Sequence, residues 1–438
     1  MRLAALVLLL VSGLWPAAHA DPSPSPADST APDAAELARR IDLVAREIDD
    51  LRLGAVATPP TSQHGLGPAA SKVYGVERGV SIGGYGEMLY EIFVAERQVG
   101  RPSGRSDQID FLRQIVYVGF KFDERFLLNT EIEFEHASTD KQGSVSVEFA
   151  YIDALLHPAA NVRGGMLLMP MGFVNELHEP PVFLGARRPD VEQRLIPTTW
   201  RANGAGLFGE PAQGFSYRAY VIESLRAVRD DDDGIGGFSA AGVRGGRQSG
   251  SLSRIEDAAV VARADYGRSG ITVGGSAFYG QTAQGDTTPA GQRFEATTTL
   301  YEAHLEARRY GVRFRALLAG VRVDDVAELN DANGLAGSRS IGSEMLGGYV
   351  EAGYELLSRL HPGSTLELVP YGRWEAYDTQ RAVPAGFTRD PANDQEVWTV
   401  GAALFPHPQI VVKGDFQRRS NGADTGTNQW NVALGYLF

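Results

Sequence analysis

The sequence predicts an all-β fold, a 16-stranded antiparallel transmembrane β-barrel preceded by a short N-terminal α-helical, coiled-coil-like segment. Three observations predict it. Beyond Arg78, apolar and polar residues alternate: Phe126, Leu128, Ile132 and Phe134 are set against Asn129, Glu131, Glu133 and Glu135, which gives a strand one apolar and one polar face. Connections alternate short and long, with seven short turns and eight long loops separating sixteen strands. The last strand puts Trp430, Val432, Leu434, Tyr436 and Phe438 on one face. A soluble sandwich would share the alternation. The loop lengths and the aromatic end separate the two, and a closed barrel leaves no strand edge unpaired in lipid.

The elements follow in order. Residues 1–20 combine Arg2, the apolar run Leu3 to Leu14 and the small-residue signal Ala18-His19-Ala20, which reads as a cleaved secretory signal peptide. Residues 21–33 are rich in Pro, Ser and Ala and read as linker. Over 34–53, Leu37, Ile41, Val44, Ile48 and Leu51 recur at 4-3-4-3 spacing on a charged helix, a short heptad seam. A second linker, 54–77, carries Pro59, Pro60, Gly65, Gly67 and Pro68. The barrel domain occupies 78–438. Further strands repeat the pattern: Leu366, Leu368 and Trp374 against Glu367, Tyr371, Arg373 and Glu375, and Ile410, Val412 and Phe416 against Lys413, Asp415 and Gln417.

Composition bounds the function. Length alone is a prior of about three domains, yet one large barrel uses the same 438 residues. The chain has no cysteine, which removes disulfide scaffolds, thiol catalysis and thiolate metal sites. A formal charge of -13 argues against a nucleic-acid partner, which needs a basic face. No cofactor is expected.

Sixteen strands are wide enough for an aqueous channel. With the apolar faces in lipid, the lumen wall would present Glu131, Glu133, Glu135, Arg218, Arg263, Arg313, Arg315, Arg373 and Lys413. The loop from about Met171 to Asn203 is unusual for an exposed tip, because it carries Phe173, Leu177, Val182, Phe183, Leu184, Leu195, Ile196 and Trp200. Such a loop needs an apolar partner, and the barrel interior offers one. It is expected to fold inward as a constriction presenting Arg187, Arg188, Arg194 and Arg201 with Glu176, Glu179 and Glu192. Guanidinium groups bind phosphate and carboxylate bidentately, so this constriction would favour anions.

The stretch Met169-Pro170-Met171-Gly172-Phe173, with Asn175 to Pro180, Arg187-Arg188-Pro189 and Ile196 to Arg201, resembles the phosphate-selective porin O and P family, and Gly83-Gly84-Tyr85-Gly86-Glu87 fits its beginning. The resemblance covers the chain from about Val80 onward. It implies a trimeric outer-membrane channel of sixteen strands, with pore arginines conducting anions such as phosphate or polyphosphate. The terminal face ending in Tyr436 and Phe438 resembles the signal read by the barrel assembly machinery. One departure is plain: the chain has only four lysines, Lys72, Lys121, Lys141 and Lys413, so lysine clusters are absent.

The expectation is therefore a porin in the bacterial outer membrane, passing small hydrophilic solutes or anions, with lipid, lipopolysaccharide and the assembly machinery as partners. The alternatives are a barrel hydrolase with a rim active site and a structural or adhesive barrel. His304 lies beside Glu302 and Glu306 without a serine nucleophile in view, and His157, His361 and His407 precede prolines in short turns. No metal site is expected: His178-Glu179 lacks the spacing of a zincin and reads as a satisfied loop histidine. Asp230 to Asp233 read as a solvated loop with a possible calcium role, and Arg244-Gly245-Gly246-Arg247 as a mobile loop.

Overall fold

The computed structural model describes residues 35, 36, 38–43, 61–137, 143–361 and 363–438. The segments expected to be signal peptide and first linker, and most of the expected heptad helix, lie outside these residues. Chain contacts divide it into two units, 1–58 and 59–438. In the first, residues 38–43 are helical, and Glu36 pairs with Arg39 and Arg40 at 3.0 and 2.9 Å, helical i,i+3 and i,i+4 spacings.

The second unit is a closed barrel of sixteen antiparallel strands in sequential order. They are β1 (Gly79–Arg97), β2 (Gln108–Lys121), β3 (Phe126–Glu135), β4 (Val145–His157), β5 (Ala160–Leu168), β6 (Arg201–Ala212), β7 (Phe215–Glu223) and β8 (Ala258–Arg268). The second half comprises β9 (Ile271–Gly280), β10 (Thr298–Arg309), β11 (Val312–Val323), β12 (Glu344–Tyr354), β13 (Glu367–Ala382), β14 (Asp394–His407), β15 (Ile410–Asn421) and β16 (Thr427–Leu437). β1 closes on β16, with Tyr85 opposite Leu437 and Trp430 opposite Ile92. Phe438 adds two hydrogen bonds at the seam, its N–H to the Gly84 carbonyl (2.9 Å) and its carbonyl from the Gly84 N–H (3.0 Å). All seven short turns therefore gather at one rim and the long loops at the other.

The alternation sets the faces as expected. In β3, Phe126 and Phe134 are exposed outside while Asn129, Glu131 and Glu133 are buried inside. In β16, Trp430, Val432 and Leu434 are exposed and Asn431 is buried, and Phe438 just beyond the strand is exposed too. Among the described residues no helix is long and apolar enough to cross a membrane. The barrel's outer face is its apolar surface.

The interior is fuller than strand number suggests. The main hydrophobic core sits inside the barrel, where Met169, Met171, Phe173, Leu195, Ile196 and Trp200 of the long loop after β5 pack on wall residues such as Phe278. Trp200 meets Phe278 edge-on at 5.1 Å between ring centres. The stretch from Gln63 to Gly75, expected to be linker, also packs inside. Its Leu66, Ala69, Ala70 and Val73 are buried, because the polar wall offers glycines where the chain approaches closely. A Cβ on Gly119 of β2 would lie 2.6 Å from Val73 Cγ2, and one on Gly83 of β1 would lie 2.8 Å from the Ala69 carbonyl oxygen.

Candidate functional site

The candidate site is the barrel lumen with its two inserts. The lumen-wall residues expected from the alternation do face inward, but most are covered by the inserts and engaged in ion pairs. Arg218 reaches Asp265 at 2.6 Å and Glu176 of the long loop at 3.3 Å, and Arg263 pairs with Asp265 at 2.8 Å. Arg373 lies between Glu351 and Glu375, each at 3.3 Å, and donates to the Arg187 carbonyl. Arg315 pairs with Glu306 at 2.8 Å and donates to the Val182 carbonyl. Arg313 meets Glu367. Lys413 donates to the Gly185 carbonyl at 2.9 Å with its ammonium over the Phe183 ring. Glu133 pairs with Arg113 (3.3 Å) and Glu131 with His178 (3.1 Å), whereas Glu135 is half-buried and accepts from Ser144. Charged wall residues thus dock the loop backbone as well as each other, which satisfies both partners at low dielectric.

The residues expected at a constriction divide into two groups. The three carboxylates hold the inserts. Glu179 accepts from the Ala69 and Ala70 N–H groups at 3.0 and 3.1 Å, tying the loop to the N-terminal insert. Glu192 accepts from the Val174 N–H and the Tyr349 hydroxyl, both at 2.6 Å. Burial pushes the Glu192 carboxyl up, against the lowering pull of those two donors. Glu176 bridges toward Arg218 and Arg263. Of the arginines, Arg187 pairs with Glu91, and Arg201, which opens β6, pairs with Glu148 at 3.0 Å. Arg188 is buried with its Nη2 lacking a hydrogen-bond partner, and Arg194 is exposed.

Sequence reasoning missed Arg113, Glu148, Arg244 and Arg247. The turn Arg244–Gly246 was expected to be mobile; instead it is packed, with Gly246 against Phe238 and Arg247 donating to the Thr199 carbonyl. Arg244 is the neighbour of the expected constriction. Burial and the repulsion of Arg247, Arg188, Arg113 and Arg194 push its guanidinium down to about 9, and its Nη1 has no partner. A guanidinium stays charged at neutral pH, so this repulsion is a standing cost that a bound anion would relieve. The acidic loop is a different case: Asp230 and Asp233 pair with Arg226 at 2.7 and 2.9 Å and Asp231 with Arg229 at 2.7 Å, so three of its four carboxylates are already engaged by guanidiniums.

Toward the short-turn rim the inserts leave water-accessible space. A cavity of about 630 Å³ is lined by Gln63, His64, Glu176, Arg218, Arg263 and Glu306 among others. A second of about 350 Å³ reaches Arg308, Arg315, Pro408 and Gln409.

These features define the class, a sixteen-stranded barrel with an apolar outer face and a charged interior into which a long loop is folded. No family model matches the chain. It belongs to the family of an uncharacterized protein of Aquifex aeolicus (strain VF5), to which it is 35% identical over 385 residues, 85% of this chain and 83% of that protein. Among solved structures it is similar to Salmonella typhi OmpF in complex with daunomycin, at 11% identity and a TM-score of 0.50, covering 83% of this chain and 98% of that one. The outer membrane channel DcaP of Acinetobacter baumannii is matched at 12% identity and a TM-score of 0.49, over 82% of this chain and 97% of that one. The OmpF likeness is one of fold alone. The resemblance to the phosphate-selective porins rests on the residues quoted for it.

Proposed function

We propose that the chain is an outer-membrane channel for small hydrophilic solutes, with anions favoured at the long-loop side of its lumen. The observation that carries the reading is the closed barrel with an apolar exterior and an interior of buried charge, a division that suits lipid outside and polar contents within. Anion preference is supported by Arg188 and Arg244, whose free guanidinium nitrogens stand in a group with Arg113, Arg194 and Arg247. Phosphate as the permeant, assembly as a homotrimer, the signal peptide and recognition of the Tyr436–Phe438 end by the assembly machinery belong to the same proposal, supported by the resemblances of sequence.

A rim hydrolase is disfavoured by the geometry at His304. Its ring nitrogens face Asp265 (2.8 Å) and Glu302 (2.9 Å), and the Ser276 hydroxyl donates to Glu302 at 2.6 Å. A nucleophile needs its base within hydrogen-bond reach, and here the serine is turned to a carboxylate.

Planar-bilayer recording of the purified protein tests the proposal. Stepwise conductance is expected, with reversal potentials in a salt gradient indicating anion preference. A protein that inserts without conducting removes the channel, and cation preference removes the arginine reading.

A further inference from the structure

We propose that Glu131, Glu148 and His178 form a site for one divalent first-row transition-metal cation of the Zn²⁺ class, between the barrel wall and the inserted loop. One ligand atom from each residue lies within 4.8 Å of the other two, and the side chains are 0%, 1% and 2% exposed. A tetrahedral ion with metal–ligand distances of about 2.0–2.2 Å sets its ligands about 3.3–3.6 Å apart; Nε2 of His178 stands 3.1 Å from Glu131 and 3.9 Å from Glu148, and side-chain rotation of the two carboxylates closes the site.

The histidine is set up for ligation. Its Nδ1 lies 3.0 Å from the Asn175 carbonyl oxygen, which can only accept, so Nδ1 carries a proton. Nε2 then faces Glu131 Oε1 at 3.1 Å and Glu148 Oε2 at 3.9 Å, so either a second proton or a metal cation must stand between it and those oxygens. Donation of the second ring nitrogen to a backbone carbonyl is the usual support for a metal-bound imidazole. Glu131 Oε2 and Glu148 Oε2 are both buried without a hydrogen-bond donor.

The backbone builds the site too. The register slips where Glu131 pairs with Phe149 and Ile132 with Val147, a bulge that turns both Glu148 and Phe149 inward. Arg113 pairs with Glu87 and Glu133, and Arg201 with Glu148 Oε1, while Glu131 meets no guanidinium within ion-pair reach among the described residues. Mixed imidazole and carboxylate ligation suits Zn²⁺, Mn²⁺ or Fe²⁺, and the bound ion would tether the loop to β3 and β4.

The full-length protein, extracted in detergent and stripped with a chelator, is titrated with ZnCl₂ by calorimetry, and its metal content is measured after desalting. About one equivalent per chain is expected. Glu148→Gln and His178→Gln should each weaken binding at least about tenfold, while Asp231→Asn in the acidic loop changes nothing. Co²⁺ loading of the unmutated protein gives a reading independent of how variants fold: absorption bands of four- or five-coordinate cobalt and an imidazole nitrogen in its X-ray absorption. Failure of the unmutated protein to take up stoichiometric metal overturns the proposal, as does uptake that is unchanged in both Glu148→Gln and His178→Gln. His178 would then be an imidazolium paired with Glu131.

Discussion

Tyr74 is the residue on which the N-terminal insert turns. Its hydroxyl donates to Asp153 at 2.6 Å and accepts from Arg163 at 2.8 Å, while Arg163 also binds Asp153 through two nitrogens and stacks over Tyr151 and Phe208. Tyr74→Phe keeps the ring and removes the hydroxyl from a buried network, so a loss of about 1–3 kcal/mol is expected, read as a lower heat-modification temperature on gels. Glu192 gives a pH signature. Its carboxyl is raised by burial, so the stability it contributes is present below the ordinary carboxyl range, about pH 4, and is lost as pH rises through the raised value. The melting temperature should therefore decline with rising pH over that window, and Glu192→Gln, whose Oε1 can still accept from the Val174 N–H while its amide donates to the Tyr349 hydroxyl oxygen, should flatten the decline. An unchanged profile would mean that Glu192 does not titrate there.

At the scale of elements, the inserts set the bore. Sixteen strands would leave a wide channel, but the loop after β5 and residues 63–75 fill much of it. Removing residues 63–75 should increase single-channel conductance, since the segment lines the cavity near the short-turn rim and lies against Gly83 and Gly119. Unchanged conductance in a folded variant would place the limiting cross-section at the loop instead. The seam between β1 and β16 is a second element-scale feature. Deleting Phe438 removes two backbone hydrogen bonds to Gly84 and the aromatic end, and a smaller yield of folded barrel in the outer-membrane fraction is expected. The element pattern was largely legible, because an outward apolar face and an inward polar one repeat every two residues. Where legibility failed, β4 shows why: Val145 and Val147 point out, then Ala150 and Ile152, so the phase changes at Glu148. That break is the one signal by which sequence could have found Glu148.

For the whole molecule, the formal charge of -13 says little about selectivity, because many interior charges are engaged in ion pairs, and Arg188 and Arg244 near the long loop keep guanidinium nitrogens without a hydrogen-bond partner. The double variant Arg188→Gln/Arg244→Gln should move the reversal potential toward zero in a salt gradient while leaving the barrel folded; an unmoved potential would assign selectivity elsewhere. The sequence by itself determined the strand number, the faces and the inward course of the long loop, since these follow from local periodicity, turn spacing and an apolar loop that water would not favour. Only the tertiary structure decided which charges meet. Glu179 caps Ala69 and Ala70 from 110 and 109 residues away, and Arg187 crosses to Glu91. Alternation says that a side chain faces the lumen. Whether it meets water, an opposite charge or an unfilled coordination position depends on strands and inserts that only barrel closure brings together.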